Sequence, residues 1–218
     1  MKKILLATDG SKHAKNAARF IARLPHDDTI ELTVLTVIEA PYVNRAYPTS
    51  EWILKIVERE KARAEETFKE IEQVFDGANV TLRHVVSEGD RGVSIVQLAK
   101  ERAAELIVVG ARGHSEVSRL LLGTTSDFVA THADCSVLVV RSPAHRESDQ
   151  RLRIAIGYEE TGPAQAALEE FSETQWGQQV DVDLVSVVSF VDGFLNELVV
   201  DAESAKNAAM QRVQKSSP

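Results

Sequence analysis

The sequence predicts an α/β fold, an open five-stranded parallel sheet with helices on both faces, and three observations carry that prediction. Short apolar runs alternate with longer stretches of helical periodicity across residues 3–141. Those runs are continuous rather than alternating, as expected of strands hidden on both sides by crossover helices. The turns that close them carry glycines and hydroxyl residues, as at Asp9-Gly10-Ser11 and Gly110-Ala-Arg-Gly113.

Each element follows from its own pattern. Residues 3–8 are an apolar strand ended by Asp9-Gly10-Ser11, and Ala14, Ala17, Ala18, Ile21 and Ala22 then recur at helical spacing as far as Pro25. Residues 30–38 are apolar with threonines, a second strand. Beyond a loop carrying Pro41 and Pro48, a long helix is expected over about 51–76, with Ile53, Ile56, Val57, Phe68, Ile71 and Phe75 in one stripe. Residues 80–86 read as the third strand, 92–104 as a helix, 106–109 as the fourth strand and 136–141 as the fifth. Ligands of such sheets sit at the carboxyl ends of the strands. Thr8-Asp9-Gly10, Val37 and Gly110-Ala-Arg-Gly113 all lie at such ends.

The fourth strand runs into Gly110-x-x-Gly113, nine further residues and Gly123-Thr124. A strand, a glycine loop and a hydroxyl-rich helix start together make a phosphate cradle. Glycines let backbone N–H groups approach an anion, and the positive end of the next helix favours negative charge. One hydroxyl of Thr124, Thr125 or Ser126 is expected to cap a helix over 127–132. Asp9 either hydrogen-bonds a ribose or a metal-bound water, or caps the helix that follows it. Arg112 suits a phosphate through a charge-assisted bond or is a solvated charge. His114 reads as an exposed loop residue.

Composition narrows the function further. The 218-residue chain carries a net charge of −8 with no basic footprint, which argues against a nucleic-acid partner. Its single cysteine, Cys135, fits a reducing compartment and reads as a buried structural thiol. No apolar run approaches the ~20 residues of a membrane span, and the apolar stretch after Met1 ends too soon for a signal peptide, so a cytoplasmic location without a membrane partner is expected. There is no Gly-Lys-Ser/Thr P-loop, and the only strand-end acid on the rim is Asp9. No catalytic set and no metal-ligating set emerges, and fast nucleotide hydrolysis is not expected.

The chain divides into residues 1–142, which carry the motif, a polar linker at 143–151, and 152–218. Sliding the chain by a constant offset lays Ile154-Ala-Ile-Gly-Tyr-Glu-Glu160 on Ile4-Leu-Leu-Ala-Thr-Asp-Gly10, and Asp181-Val-Asp-Leu-Val-Ser-Val-Val188 on Glu31-Leu-Thr-Val-Leu-Thr-Val-Ile38. This is the pattern of an internal duplication whose second copy stops after a further helical stretch at 203–213. Two strands are too few to hold a sheet alone, so the partial copy is expected to dock on the first domain or on another chain.

With the Ala7-Thr-Asp-Gly-Ser11 opening, Ser87-Glu-Gly-Asp90 and the glycine motif in place, residues 2 to about 142 resemble the universal stress protein family, of a Rossmann-like fold akin to the adenine nucleotide alpha hydrolases. The remainder looks like the start of a second such domain, as in tandem members. The resemblance implies ATP, with magnesium or manganese, as the cofactor. It implies that Gly110, Gly113, Gly123, Thr124, Thr125 and Ser126 hold the phosphates, and that Thr8, Asp9 and Val37 flank base and sugar, Arg112 completing the candidate site. It further implies a homodimer through the last strand, an apolar edge that the second copy either covers or competes for, and a regulatory role in the stress response with an unidentified protein partner. A slow ATPase or nucleotidyl-transfer enzyme, and an interaction module with a vestigial glycine loop, are the alternatives. The second copy has Glu159 in the place of Asp9 and no glycine motif, and no nucleotide is expected there.

Overall fold

The computed structural model describes residues 2–24, 29–39, 51–113, 122–141, 152–173 and 180–187. The chain forms two compact units, Met1–His145 and Arg146–Pro218. The linker at 143–151 and the helical stretch at 203–213 expected from the sequence lie outside the described residues, as does His114.

In the first unit the elements run β1 (Lys2–Ala7), α1 (Lys12–Ile21), β2 (Ile30–Ile38), α2 (Glu51–Val74), β3 (Val80–Glu88), α3 (Arg91–Glu101), β4 (Leu106–Gly110), α4 (Thr124–His132) and β5 (Ser136–Val140). The strands form one sheet in the order β3-β2-β1-β4-β5, with every neighbouring pair parallel. The chain therefore steps outward from β1 to β3, then returns to the other side of β1 at β4. At that reversal the connections after β1 and β4 leave toward opposite faces, opening a crevice at the strands' carboxyl ends.

Both faces are covered, which is why the strand sequences are apolar without alternation. On one face Leu6, Leu32, Val34 and Val108 pack against Ala17, Ala18 and Ile21 of α1, Ile71 of α2 and the adjoining Phe75. On the other, Leu5, Leu35, Ile107 and Val109 pack against Ile95 and Ala99 of α3 and Val129 of α4. Adjacent residues Leu5 and Leu6 are both fully buried, one in each layer. In the expected stripe of α2, Ile71 is buried and Ile56, Val57 and Phe68 are half-buried, with Phe75 buried just beyond the last turn; Ala64 and Thr67 join it. Trp52 and Leu54 in the first turn are exposed. Cys135 is half-buried against the second layer. Among the described residues no helix is long and apolar enough to cross a membrane.

Helix α3 ends at Glu101, three residues before the sequence-based boundary, and the reason is local. Ala103 adopts a left-handed backbone with φ 50°. The Ala104 N–H donates to the Ala99 carbonyl (2.9 Å) and the Ala103 N–H to the Lys100 carbonyl (3.1 Å), the paired bonds of a Schellman ending. Glycine normally marks that position, and alanine left no signal of it.

The second unit contains β6 (Leu152–Gly157), α5 (Gly162–Glu173) and β7 (Val180–Val185), with β6 and β7 in a two-stranded parallel sheet. Its register repeats that of β1 and β2 under the same displacement at every pair: Ile4 faces Leu32 as Ile154 faces Val182, and Ala7 faces Leu35 as Gly157 faces Val185. The bonds beyond the strands repeat too, from the Thr8 N–H to the Leu35 carbonyl and from the Tyr158 N–H to the Val185 carbonyl.

Because a left-handed alanine costs about 1–2 kcal/mol, part of which the freer unfolded glycine returns, Ala103→Gly is expected to stabilise the first unit by about 0.5–1 kcal/mol. A higher urea midpoint at unchanged m-value is the outcome to look for.

Candidate functional site

The crevice begins at the end of β1. Thr8 is buried and its Oγ1 accepts from the Gly10 N–H at 3.2 Å, while Asp9 Oδ1 accepts from the Ser11 N–H at 2.9 Å. Gly10 has the left-handed φ of 76° that this turn requires. Ser11, not Asp9, caps α1, its hydroxyl accepting from the Ala14 N–H at 3.3 Å. The capping alternative for Asp9 is thereby corrected: its carboxylate holds the capping residue and lines the crevice.

The end of β4 forms the opposite wall. The Ala111 N–H donates to the Val140 carbonyl at 2.8 Å, and the Ala111 carbonyl accepts from the Gly123 N–H at 2.9 Å. The Ser126 hydroxyl donates to that same Ala111 carbonyl at 3.1 Å and to the Gly123 carbonyl at 2.9 Å. The first turn of α4 is thus tied to β4 across the glycine motif. The helix begins at Thr124, three residues earlier than the sequence suggested, and its N-cap is Gly123, which supplies no side-chain bond. The expected hydroxyl cap is corrected, because the Ser126 hydroxyl turns inward to the strand and Thr124 and Thr125 lie within the helix.

The absent cap has an electrostatic consequence. The first intrahelical bond runs from the Asp127 N–H to the Gly123 carbonyl, so the N–H groups of Thr124, Thr125 and Ser126 have no acceptor inside the helix. They lie at the positive end of the helix macrodipole, beside the crevice, where an anion gains most.

The glycines serve different needs. A Cβ at Gly110 would stand 3.0 Å from the backbone of His13 and Ala14, so this glycine lets β4 approach the start of α1. At Gly113 a Cβ would run into Asp9 Oδ2, and at Gly123 it would meet only ordinary contacts near 3.5 Å. None of the three has a left-handed backbone.

Together these elements line a cleft of about 470 Å³, within the range of ordinary ligand pockets. All ten residues singled out from sequence line it: Thr8, Asp9, Val37, Gly110, Arg112, Gly113, Gly123, Thr124, Thr125 and Ser126. Ser126 departs from its expected role in one respect, since its hydroxyl is spent on the backbone and only its N–H faces outward. The cleft is polar by α4, and its apolar lining comes from Leu35 and Val37 of β2, Ile95 of α3 and Val109 of β4. Among the described residues Asp9 is the one carboxylate in the lining, and no cluster of three His, Cys, Asp or Glu side chains is placed to hold a metal.

The sequence profile of the universal stress protein family matches residues 1–141. The chain belongs to the universal stress protein family. A universal stress protein of Methanocaldococcus jannaschii is 32% identical over 143 residues, covering 65% of this chain and 83% of that protein. The solved universal stress protein of Lactobacillus plantarum superposes with a TM-score of 0.57 at 29% identity, covering 64% of this chain and 97% of that one. One from Archaeoglobus fulgidus, at 19% identity, shares the fold with a TM-score of 0.61 over 85% of this chain and 79% of its own.

Within this universal stress protein domain, sequence reasoning missed Leu35, Ile95, Val109 and Arg91 in the lining. Leu35 was accessible to it, standing two residues from Val37 on the same face of β2. Arg91 follows the end of β3 just as Asp9 follows β1, but without a glycine motif to draw attention to it.

Since the backbone of α1 cannot move aside as a side chain would, Gly110→Ala is expected to cost about 1–3 kcal/mol. Gly123→Ala, an exchange at an N-cap with room for the methyl group, should cost under about 1 kcal/mol. Parallel urea titrations of the two variants check the contrast.

Proposed function

We propose that the first unit is an ATP-binding regulatory domain of the stress response, in which occupancy of the cleft governs contact with a second copy or another protein. The observation that carries this reading is the uncapped first turn of α4, whose three N–H donors open onto a cleft that also has an apolar lining. The polar end suits a triphosphate and the apolar lining a base. ATP in particular follows from the resemblance of the Gly110–Thr124 motif to that of the universal stress protein family, which implies ATP as the cofactor. Magnesium or manganese would arrive with the triphosphate, with Asp9 the carboxylate within the lining to receive it.

Two parts of the proposal concern assembly. The repeated register of β6 and β7 supports reading 152–218 as a partial second copy in a tandem arrangement. Strand β5 ends the five-stranded sheet. Its Val140 carbonyl bonds to β4, so by alternation the N–H groups of Val137 and Val139 point to the outer side. An apolar strand with such an edge favours pairing with its equivalent in a homodimer.

Calorimetric titration with ATP and magnesium is expected to give one saturable site per chain, lost in Gly113→Val, which drives a side chain into Asp9. Two equivalents would contradict the second unit's lack of a site, and no binding by folded, nucleotide-free protein would favour a pure interaction module. Phosphate release at many turnovers per minute would instead favour the enzyme reading.

Val139→Pro removes an outward donor while leaving the β4–β5 bonds in place. Analytical ultracentrifugation should find the wild type dimeric and this variant monomeric, with a variant that still dimerises refuting the β5 edge.

A further inference from the structure

Arg91 is the first residue of α3, and its side chain lines the cleft. Asp90 caps the helix, its carboxylate accepting from the Val93 N–H at 2.9 Å. Gly89 makes the preceding turn with φ 144°, and its N–H donates to the Ile38 carbonyl at 3.1 Å. The end of β3 is thus bound to the end of β2, which brings Arg91 within reach of Glu39. Arg91 Nη2 lies 2.9 Å from Glu39 Oε2, with both side chains about half exposed, while Arg91 also lines the cleft together with Val37 and Ile95.

Arg91 follows β3 and enters the cleft from the β2 side, with β1 between β2 and the glycine loop at the end of β4. Besides Glu39, the lining residues on this side of the cleft, Val37 and Ile95, are apolar, and a guanidinium beside such a surface is placed to lie against an aromatic ring.

We propose that Arg91, positioned by Glu39, is the base-contacting residue of this cleft, packing its guanidinium plane against a purine and favouring purine over pyrimidine nucleotides. This rests on the nucleotide reading of the cleft. The Glu39 carboxylate is a positioning group: it keeps the guanidinium beside this apolar lining and offsets its charge, so the contact is made through the plane rather than through a free cation.

The test titrates the full chain and its Arg91→Ala and Arg91→Lys variants with ATP, CTP and inorganic tripolyphosphate, each with magnesium. Arg91→Ala is expected to weaken ATP roughly three- to tenfold, to narrow the ATP-to-CTP ratio, and to leave tripolyphosphate unchanged. Arg91→Lys, which keeps the charge but not the plane, should resemble Arg91→Ala. Equal weakening of ATP and tripolyphosphate, full rescue by lysine, or wild-type ATP affinity in both variants would each overturn the assignment. Failure of the wild type to bind either ATP or tripolyphosphate would overturn the underlying nucleotide reading instead, and with it the role of Arg91.

Discussion

The cleft depends on the way Ala111 is held. This buried residue, one step beyond β4, donates to Val140 of β5 and accepts from both the Gly123 N–H and the Ser126 hydroxyl. A single residue thereby joins the edge of the sheet to the first turn of α4. Neutral hydrogen bonds of this kind contribute only about 1 kcal/mol each, but these three fix an orientation. They point the open end of the helix at the crevice between β1 and β4, and the Ser126 hydroxyl, spent on that anchorage, is unavailable to cap the donors it brings into place.

The same geometry explains the use of glycine. The motif suggests that its glycines exist to admit an anion, yet Gly110 answers to the backbone of α1 and Gly113 to the carboxylate of Asp9. The polar end of the cleft is therefore assembled from two strand ends that must approach more closely than a methyl group permits. Asp9 joins the two sides: it orders the capping Ser11 through one oxygen and presses against Gly113 with the other. A residue with both contacts couples the start of α1 to the glycine loop, so a change at either reaches the other.

Sheet order was only partly legible from residue patterns. Strands were found readily because β1, β2 and β4 are buried on both faces and their apolar runs have no competing explanation. Helix ends were read less well, and for identifiable reasons. At α3 an alanine occupies a left-handed position that glycine usually marks, and at α4 a serine whose composition suggests a cap is turned toward the strand by Ala111. In the site, residues within a glycine- and hydroxyl-rich motif announced themselves. Arg91 did not, because its importance comes from β3 being bonded to the end of β2, a long-range relation with no local signature.

The sequence by itself determined the layered α/β architecture of the first unit and singled out ten residues that line one cleft, because periodicity, turn chemistry and motif spacing are local properties. Tertiary structure decided which strands became neighbours and therefore where the crevice opened. It also decided which of Asp9, Ser11, Gly123 and Ser126 capped a helix, which held another residue in place and which left donors open. Those roles are settled by competition among hydrogen-bond partners far apart in the chain, and only the packed sheet brings the competitors within reach.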